Sequence, residues 1–302
     1  MADRAGSFPG RHEGAPRAKV ERVIADLGVT MTPREIDRVL AELGYPADEA
    51  APAVREGVLA VIHDEADRAI LPAVLAGIGD ALPAGARATL LVPATTCGDA
   101  AACVAAIGRN SVAGAILLPD VAASEAITHA LRAAGISYVT VSATGGHDAI
   151  LTHDRAAAGA AIDRLVALGH RRIALVGGPD TSATAREREL GYLDALADHG
   201  LDRGAALIAS GDLGFESGKQ AAALLLEISP RPTAILALNE AMAAGVLHAA
   251  LTRGIKVPDA LSVIGFGDEG RGAETWPPLS TIDIPYRAIA GTAALRLAGA
   301  AP

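Results

Sequence analysis

The chain has 302 residues, more than one usual core accommodates, with 51% hydrophobic and only 3% aromatic side chains and a formal net charge of −9. An acidic balance excludes a nucleic-acid surface spread over the whole molecule, so any such surface must be local. No apolar stretch is long enough to span a membrane, and Cys97 and Cys103, six apart on one expected helix, fit no zinc or redox motif, so reduced, buried thiols are expected.

In chain order, residues 1–18 are rich in Gly, Pro and charge without periodicity and are expected to form a disordered tail. They contain neither the apolar run nor the cleavage pattern of a leader, which points to a cytoplasmic protein. Between 19 and 57 the pattern becomes helical. VERVIADLGVT puts Val20, Val23, Ile24 and Leu27 on one face, and TPREIDRVLAEL starts at Thr32 with Glu35 three residues on, as in a capping box.

After Gly57 short aliphatic runs alternate with helical stretches. The runs GVLAVIH, ARATLLVPA, GAILLPD, SYVTVSA, RIALVGG, ALIASGD, TAILALN and LSVIGFG predict strands. Alternation of this kind implies parallel sheets with helices on both faces, here two sheets of about four or five strands. The helix ILPAVLAGIGDAL, residues 70–82, is apolar on nearly every side, more than one buried face requires, and suggests a homodimer surface. In LTHDRAAAGAAIDRLVALGHRRIALVGG, residues 151–178, Asp154 is read as an N-cap, Gly169 as the left-handed residue past the helix, and Gly177-Gly178 as a tight exit from a buried strand.

Candidate chemistry is sparse. GFGDEG, residues 265–270, fits G-x-G-x-x-G, but Pro277-Pro278 follow where a dinucleotide site needs a helix. His63, His147 and His153 sit near strand ends without metal-ligand spacing, and nothing assembles a nucleophile with a base. An enzyme is therefore not expected, nor a metal or cofactor. The better constellation is polar residues just beyond strand ends, Asp64, Thr140, Ser182, Arg186, Asn239 and Asp268. Such residues also serve as caps, turns or solvated faces, but in a doubly wound sheet all of them fall on one carboxyl edge, where ligands bind.

Three blocks, THDRAAAGAAIDRLVALGHRRIALVGG, PTAILALNEAMAAGVLHAALTRGIKVPDALSVIGFGDE and WPPLSTIDIP, closely resemble the lactose-repressor (LacI) family in order, spacing and content, and the resemblance covers residues 57–299. It implies an α/β fold of two Rossmann-like lobes of the periplasmic-binding-protein type, preceded by a small α-helical headpiece. The implied division is a tail at 1–18, a shortened helix-turn-helix and hinge region at 19–57, and an effector-binding domain at 58–302. Within that domain lobe 1 takes about 58–150 plus 284–302 and lobe 2 about 151–283, with three crossovers near 150–152, 266–270 and 283–285.

The resemblance also implies a dimeric transcription regulator that binds a small effector, sugar-like or carboxylated, between the lobes and couples it to a DNA operator. Ser182, Arg186 and Asn239 match the family's ligand-contacting positions, and Arg186 would offer fork-like donors. Leu213 stands where the family has an aromatic that stacks on sugars, with Phe215 two residues on, and Gly267-Asp268 replaces a pair of acids. The headpiece departs furthest: GVTMTPREIDRVL resembles G-V-S-x-x-T-V-S-R-V-L with two extra residues, and about twenty residues that normally follow are missing. By that likeness Arg34, Arg38, Val54 and Arg55 would contact DNA, with Pro52 in place of an arginine and Val54 in place of a leucine wedge. Residues 19–57 hold five basic against eight acidic side chains, which is poor for phosphates. The alternative reading is an effector sensor that has lost DNA binding and acts through dimerisation or protein partners.

Overall fold

A computed structural model describes residues 58–82, 88–97, 99–110, 112–146, 148–267 and 271–299. The expected tail, the helices and hinge within 19–57 with Arg34, Arg38, Val54 and Arg55, and also His147 and Asp268, lie outside the described residues.

Two five-stranded sheets, parallel throughout, organise the chain. The first has the order β2-β1-β3-β4-β5, from β1 (Val58–His63), β2 (Thr89–Pro93), β3 (Val112–Leu117), β4 (Tyr138–Ser142) and β5 (Ala149–Leu151). The second has the order β10-β9-β8-β6-β7, from β6 (Ile173–Gly177), β7 (Ile208–Ser210), β8 (Ala234–Ala237), β9 (Ser262–Phe266) and β10 (Ser280–Ile282). All eight strands expected from aliphatic runs are present. The central ones are buried on both faces, β6 and β8 along their whole length, as parallel sheet covered by helices requires.

The helices follow the strands: α1 (Leu71–Ala81), α2 (Ala100–Gly108), the single turn α3 (Pro119–Ala122), α4 (Glu125–Ala133), α5 (Asp154–Ala167), α6 (Ala183–Asp198), α7 (Phe215–Leu226), α8 (Glu240–Thr252) and α9 (Tyr286–Ala298). With so few aromatics, close helix approach does the work of bulk. The buried face of α8 consists mainly of Ala243, Gly245, Val246, Ala249 and Ala250, and that of α9 of Ala290, Gly291, Ala293 and Ala294. Gly169 takes the left-handed conformation expected of it, at φ 95°.

Three expectations need correction. Of the two extra strands, β5 overlaps the first expected crossover and β10 ends just before the third. β10 pairs with β9 in the same sheet, so the chain does not change lobes near 266–270. It passes from the first sheet to the second after β5 and returns through 283–285 into α9, which packs on α1, β3 and β4. Secondly, the N-cap of α5 is His153, at φ 57°, and not Asp154, which is the first helical residue and wholly buried. Thirdly, Cys97 and Cys103 do not share a helix: Cys97 precedes α2 and is half-buried, Cys103 is buried within it, and both are free.

The all-round apolar character of α1 has an internal cause. Val74 and Ile78 enter the core under the sheet, while Gly77 lies against the backbone of α9 at Arg287. Leu75 is left as its exposed large apolar side chain. A Cβ at Gly77 would collide with the Arg287 carbonyl, whereas one at Gly79, in the same helix, would meet nothing. Gly77→Ala is therefore expected to cost about 1–3 kcal/mol by overpacking, and Gly79→Ala to gain about 0.5–1 kcal/mol from helix propensity. Thermal unfolding of the two variants, with midpoints moving in opposite directions, checks this.

Candidate functional site

Both sheets present their carboxyl ends to a common cleft, where open parallel sheets place ligands. The first lobe contributes Asp67 and Ile70 from the turn after β1 and Asp120 from α3. The second contributes Ser182, Thr184 and Arg188 around the start of α6, Leu213 before α7, Asn239 and Glu240 at the start of α8, and Phe266 and Gly267 at the end of β9. Thr275, Leu279, Ile284 and Tyr286 complete a space of about 240 Å³. The size suits a small ligand, below the roughly 300–1,000 Å³ of sites for drug-sized molecules.

At its floor lies a buried ion pair. The Arg188 Nε donates to Asp154 Oδ1 at 2.7 Å, and one Nη donates to the Leu238 carbonyl at 2.6 Å. The guanidinium lies over the Phe266 ring, 4.1 Å from its centroid, a cation–π contact shielded from water. Thr152 presents its hydroxyl to the other carboxylate oxygen of Asp154. Burial by itself would lower the Arg188 pKa, but the charge of Asp154, with Tyr286 and Asp120, outweighs it and holds the group above its ordinary value.

The lobes meet through a carboxylate. Asp120 Oδ1 accepts from the Ser182 hydroxyl at 2.9 Å and from the Thr184 amide at 3.3 Å, so an anion of the first lobe sits on the N-terminus of α6 in the second. The Ser182 oxygen also accepts from the Ala185 amide at 3.1 Å and caps that helix. Burial raises the Asp120 pKa despite these donors. Asp67, 2% exposed, accepts from the Asp64 amide at 2.9 Å and the Asp120 amide at 3.5 Å; burial, together with the neighbouring acids Asp120 and Asp64, pushes its carboxyl up to about 7.

Of the residues singled out in the sequence, Ser182 and Asn239 line the cleft. Asn239 caps α8, accepting from the Met242 amide at 2.8 Å, and donates to the Leu213 carbonyl at 2.7 Å, which holds Leu213 over the cavity at φ 71°. Arg186 does not line it: it faces a separate depression beside Pro179, Asp180 and Glu189, and Arg188 holds the place expected of it. Helical phase explains why, because Ala185, Arg188, Tyr192 and Ala195 share the buried face of α6, and that spacing was available in the sequence.

Asp64 only begins the turn that carries Asp67 inward, and Thr140 is a mid-strand residue of β4, its hydroxyl buried without a partner among the described residues. Phe215 stands half-exposed at the start of α7, edge-on to His248 at 5.7 Å. The first two glycines of GFGDEG serve packing: a Cβ at Gly265 would press on Ala243, and one at Gly267 would collide with Glu240. Asp67, Asp120, Arg188 and Phe266 were not expected at the site from the sequence, and Asp154 was expected only as a helix cap. Among the described residues no group of three or more His, Cys, Asp or Glu is arranged to hold a metal ion, and no helix is long and apolar enough to cross a membrane.

A family model for the periplasmic binding protein-like domain matches residues 162–301. The HTH-type transcriptional regulator MalR of Streptomyces coelicolor is 32% identical over 297 residues, covering 94% of this chain and 86% of that protein. The chain belongs to the LacI family of transcriptional regulators. The probable HTH-type transcriptional repressor ExuR of Bacillus subtilis is 34% identical over 148 residues, 49% of this chain but only 44% of that protein. A solved regulatory protein of the LacI family from Chloroflexus aggregans superposes with a TM-score of 0.71 at 25% identity, over 81% of this chain and 92% of that one. The two lobes are thus the periplasmic-binding-protein-like domain of a LacI-family regulator.

In this LacI-family chain the two kinds of ion pair should respond differently to truncation. Asp154→Ala strands a buried guanidinium and is expected to cost about 3–5 kcal/mol. Arg155→Ala, which breaks the exposed pair with Asp194 at 2.6 Å, is expected to cost about 0.2–1 kcal/mol. Denaturant unfolding of both variants tests the contrast.

Asp67 adds a pH dependence of defined sign. Its folded pKa, about 7, lies above the ordinary 3.8, so between those values the folded state holds a proton that the unfolded state releases, and stability falls as pH rises. Asp67→Asn is expected to raise the melting temperature at pH 8, by the equivalent of a few kcal/mol, and to change little at pH 4. Thermal melts at the two pH values check this.

Proposed function

We propose that the protein binds a small polyhydroxylated effector in the interlobe cleft and couples that binding to recognition of a DNA operator through residues 19–57. The observation that carries this reading is the bridge from Asp120 to Ser182 and the Thr184 amide across the cleft. A ligand enclosed there contacts both lobes, so its binding energy differs between lobe arrangements, which is the requirement for coupling. Ser182, Asn239, Arg188, Asp67 and Asp120 are its proposed contacts, with Arg188 oriented by Asp154. The carboxylated half of the expectation fares worse, because Asp67, Asp120 and Glu240 all face the same space. The family also supports a homodimer, which would pair with a palindromic operator; α1 no longer singles out the surface, since α9 accounts for much of its apolar character.

One observation favours a second reading. Five basic against eight acidic residues at 19–57 form a weak electrostatic footprint for DNA, as expected of a sensor that acts through dimerisation or protein partners. Fluorescence anisotropy of the full chain with DNA from upstream of its own gene, at low and at physiological salt, separates the two. The regulator reading expects saturable binding that weakens steeply with salt, and Arg38→Ala is expected to lower the salt slope by about 1. Absence of binding even at low salt replaces it with the DNA-free sensor.

A further inference from the structure

The charges lining the cleft are unequal. Among the described side chains Arg188 is its one cation, and that charge is matched from beneath by Asp154, with Nε and one Nη already donating. Asp67, Asp120 and Glu240 remain. Asp67 and Asp120 adjoin, linked by the Asp120 amide, on the first lobe, and Glu240 faces them from the second, where its Oε1 accepts from the Gly272 amide at 3.2 Å. The charged groups acting on Asp67 are themselves acids, Asp120 and Asp64, whereas Asp120 also feels Arg188; against these acids the described side chains lining the cleft bring one cation, already matched by Asp154. The remaining walls are rings, aliphatic chains and hydroxyls, Phe266, Leu213, Ser182 and Thr275 among them.

Resting on the effector-site reading above, we infer that the cleft takes an amine-bearing polyol of monosaccharide size, an amino sugar, whose ammonium is received by Asp67 and Asp120 while its hydroxyls meet Ser182, Asn239 and Thr275. A carboxylate or phosphate ligand would set like charges side by side in an enclosed space, and Arg188 could offset only part of this, its charge being already matched by Asp154 and two of its N–H groups already donating. A neutral sugar would leave the acids uncompensated. An ammonium is the one common substituent that supplies hydrogen-bond donors and the missing positive charge together. The cavity of about 240 Å³ accommodates a single ring and little more.

The test is calorimetry at pH 7 on the full chain with two matched sets: glucosamine, glucose and glucuronate, and galactosamine, galactose and galacturonate. The expected result is that an amino sugar binds at least about tenfold more tightly than its neutral and uronate counterparts, the increment of a charge-assisted hydrogen bond. Asp67→Asn keeps an acceptor for a backbone amide and removes the charge, so it is expected to erase the amine advantage, bringing the amino-sugar affinity to within about twofold of the neutral sugar measured on the same variant. Equal or tighter binding by the neutral sugar or the uronate overturns the amine assignment and leaves the effector cleft standing. Binding by none of the six overturns the amino-sugar proposal, as does an amine advantage that survives Asp67→Asn.

Discussion

The pairing of Asp154 with Arg188 is the constraint on which the second lobe and the cleft depend. Asp154 is the first helical residue after the chain leaves the first sheet, and Arg188 lies one and a half turns into α6, so the pair fixes the hinge segment against that helix. The guanidinium then reaches the Leu238 carbonyl at the end of β8 and covers the Phe266 ring at the end of β9. Four elements are thereby held in register by one side chain. A buried ion pair is a poor source of net stability, since desolvation costs about as much as the Coulomb term returns, but an alternative packing that left either partner alone would cost several kcal/mol. What the pair contributes is the uniqueness of the arrangement around the cleft.

That register sets the phase of α6. With Arg188 turned inward, Ala185, Gly191 and Tyr192 face the core, and Tyr192 donates to the Ile173 carbonyl at 2.9 Å beneath β6. Gly191 lies so close to the Arg155 carbonyl of α5 that a Cβ would collide with it, so small residues at the helix crossing and the ion pair at its end specify the same geometry. Ser182 then falls at the cleft, where it caps α6 and meets Asp120. The polar edge of the site is thus a consequence of core packing.

The sheets were legible in the sequence because each central strand is a short aliphatic run buried on both faces, a signal independent of the rest of the chain. β5 and β10 were not, because AIL and STI are three-residue strands beside the hinge, indistinguishable from connections by length alone. The site was legible only in part. Ser182 and Asn239 could be found because each follows a predicted strand end, the edge where open parallel sheets place ligands. Asp67 and Asp120 could not: one lies in a single turn of tight helix and the other behind Pro119, and what makes them important is that two segments 53 residues apart converge. Arg186 and Arg188 lie two apart in one run, and only the helical phase with Tyr192 and Ala195 separates them.

Asp120 on the N-terminus of α6 also limits how a ligand in the cleft can act. Anions are favoured at that position by the unpaired amides of the first helical turn, so the bridge across the lobes is a stabilised contact of the arrangement seen here. Through Asp120 the proposed effector would bear on this same bridge. A ligand that draws Asp120 away would weaken the link between the lobes, whereas one that binds the Asp67–Asp120 pair and leaves the Ser182 bond intact would add its own contacts to the link. Coupling equals the difference in binding free energy between lobe arrangements, so its sign follows from which of these holds. On the proposed reading, the pairing of Asp120 with Ser182, more than the strength of ligand binding, would therefore determine whether occupancy of the cleft tightens or loosens the two lobes.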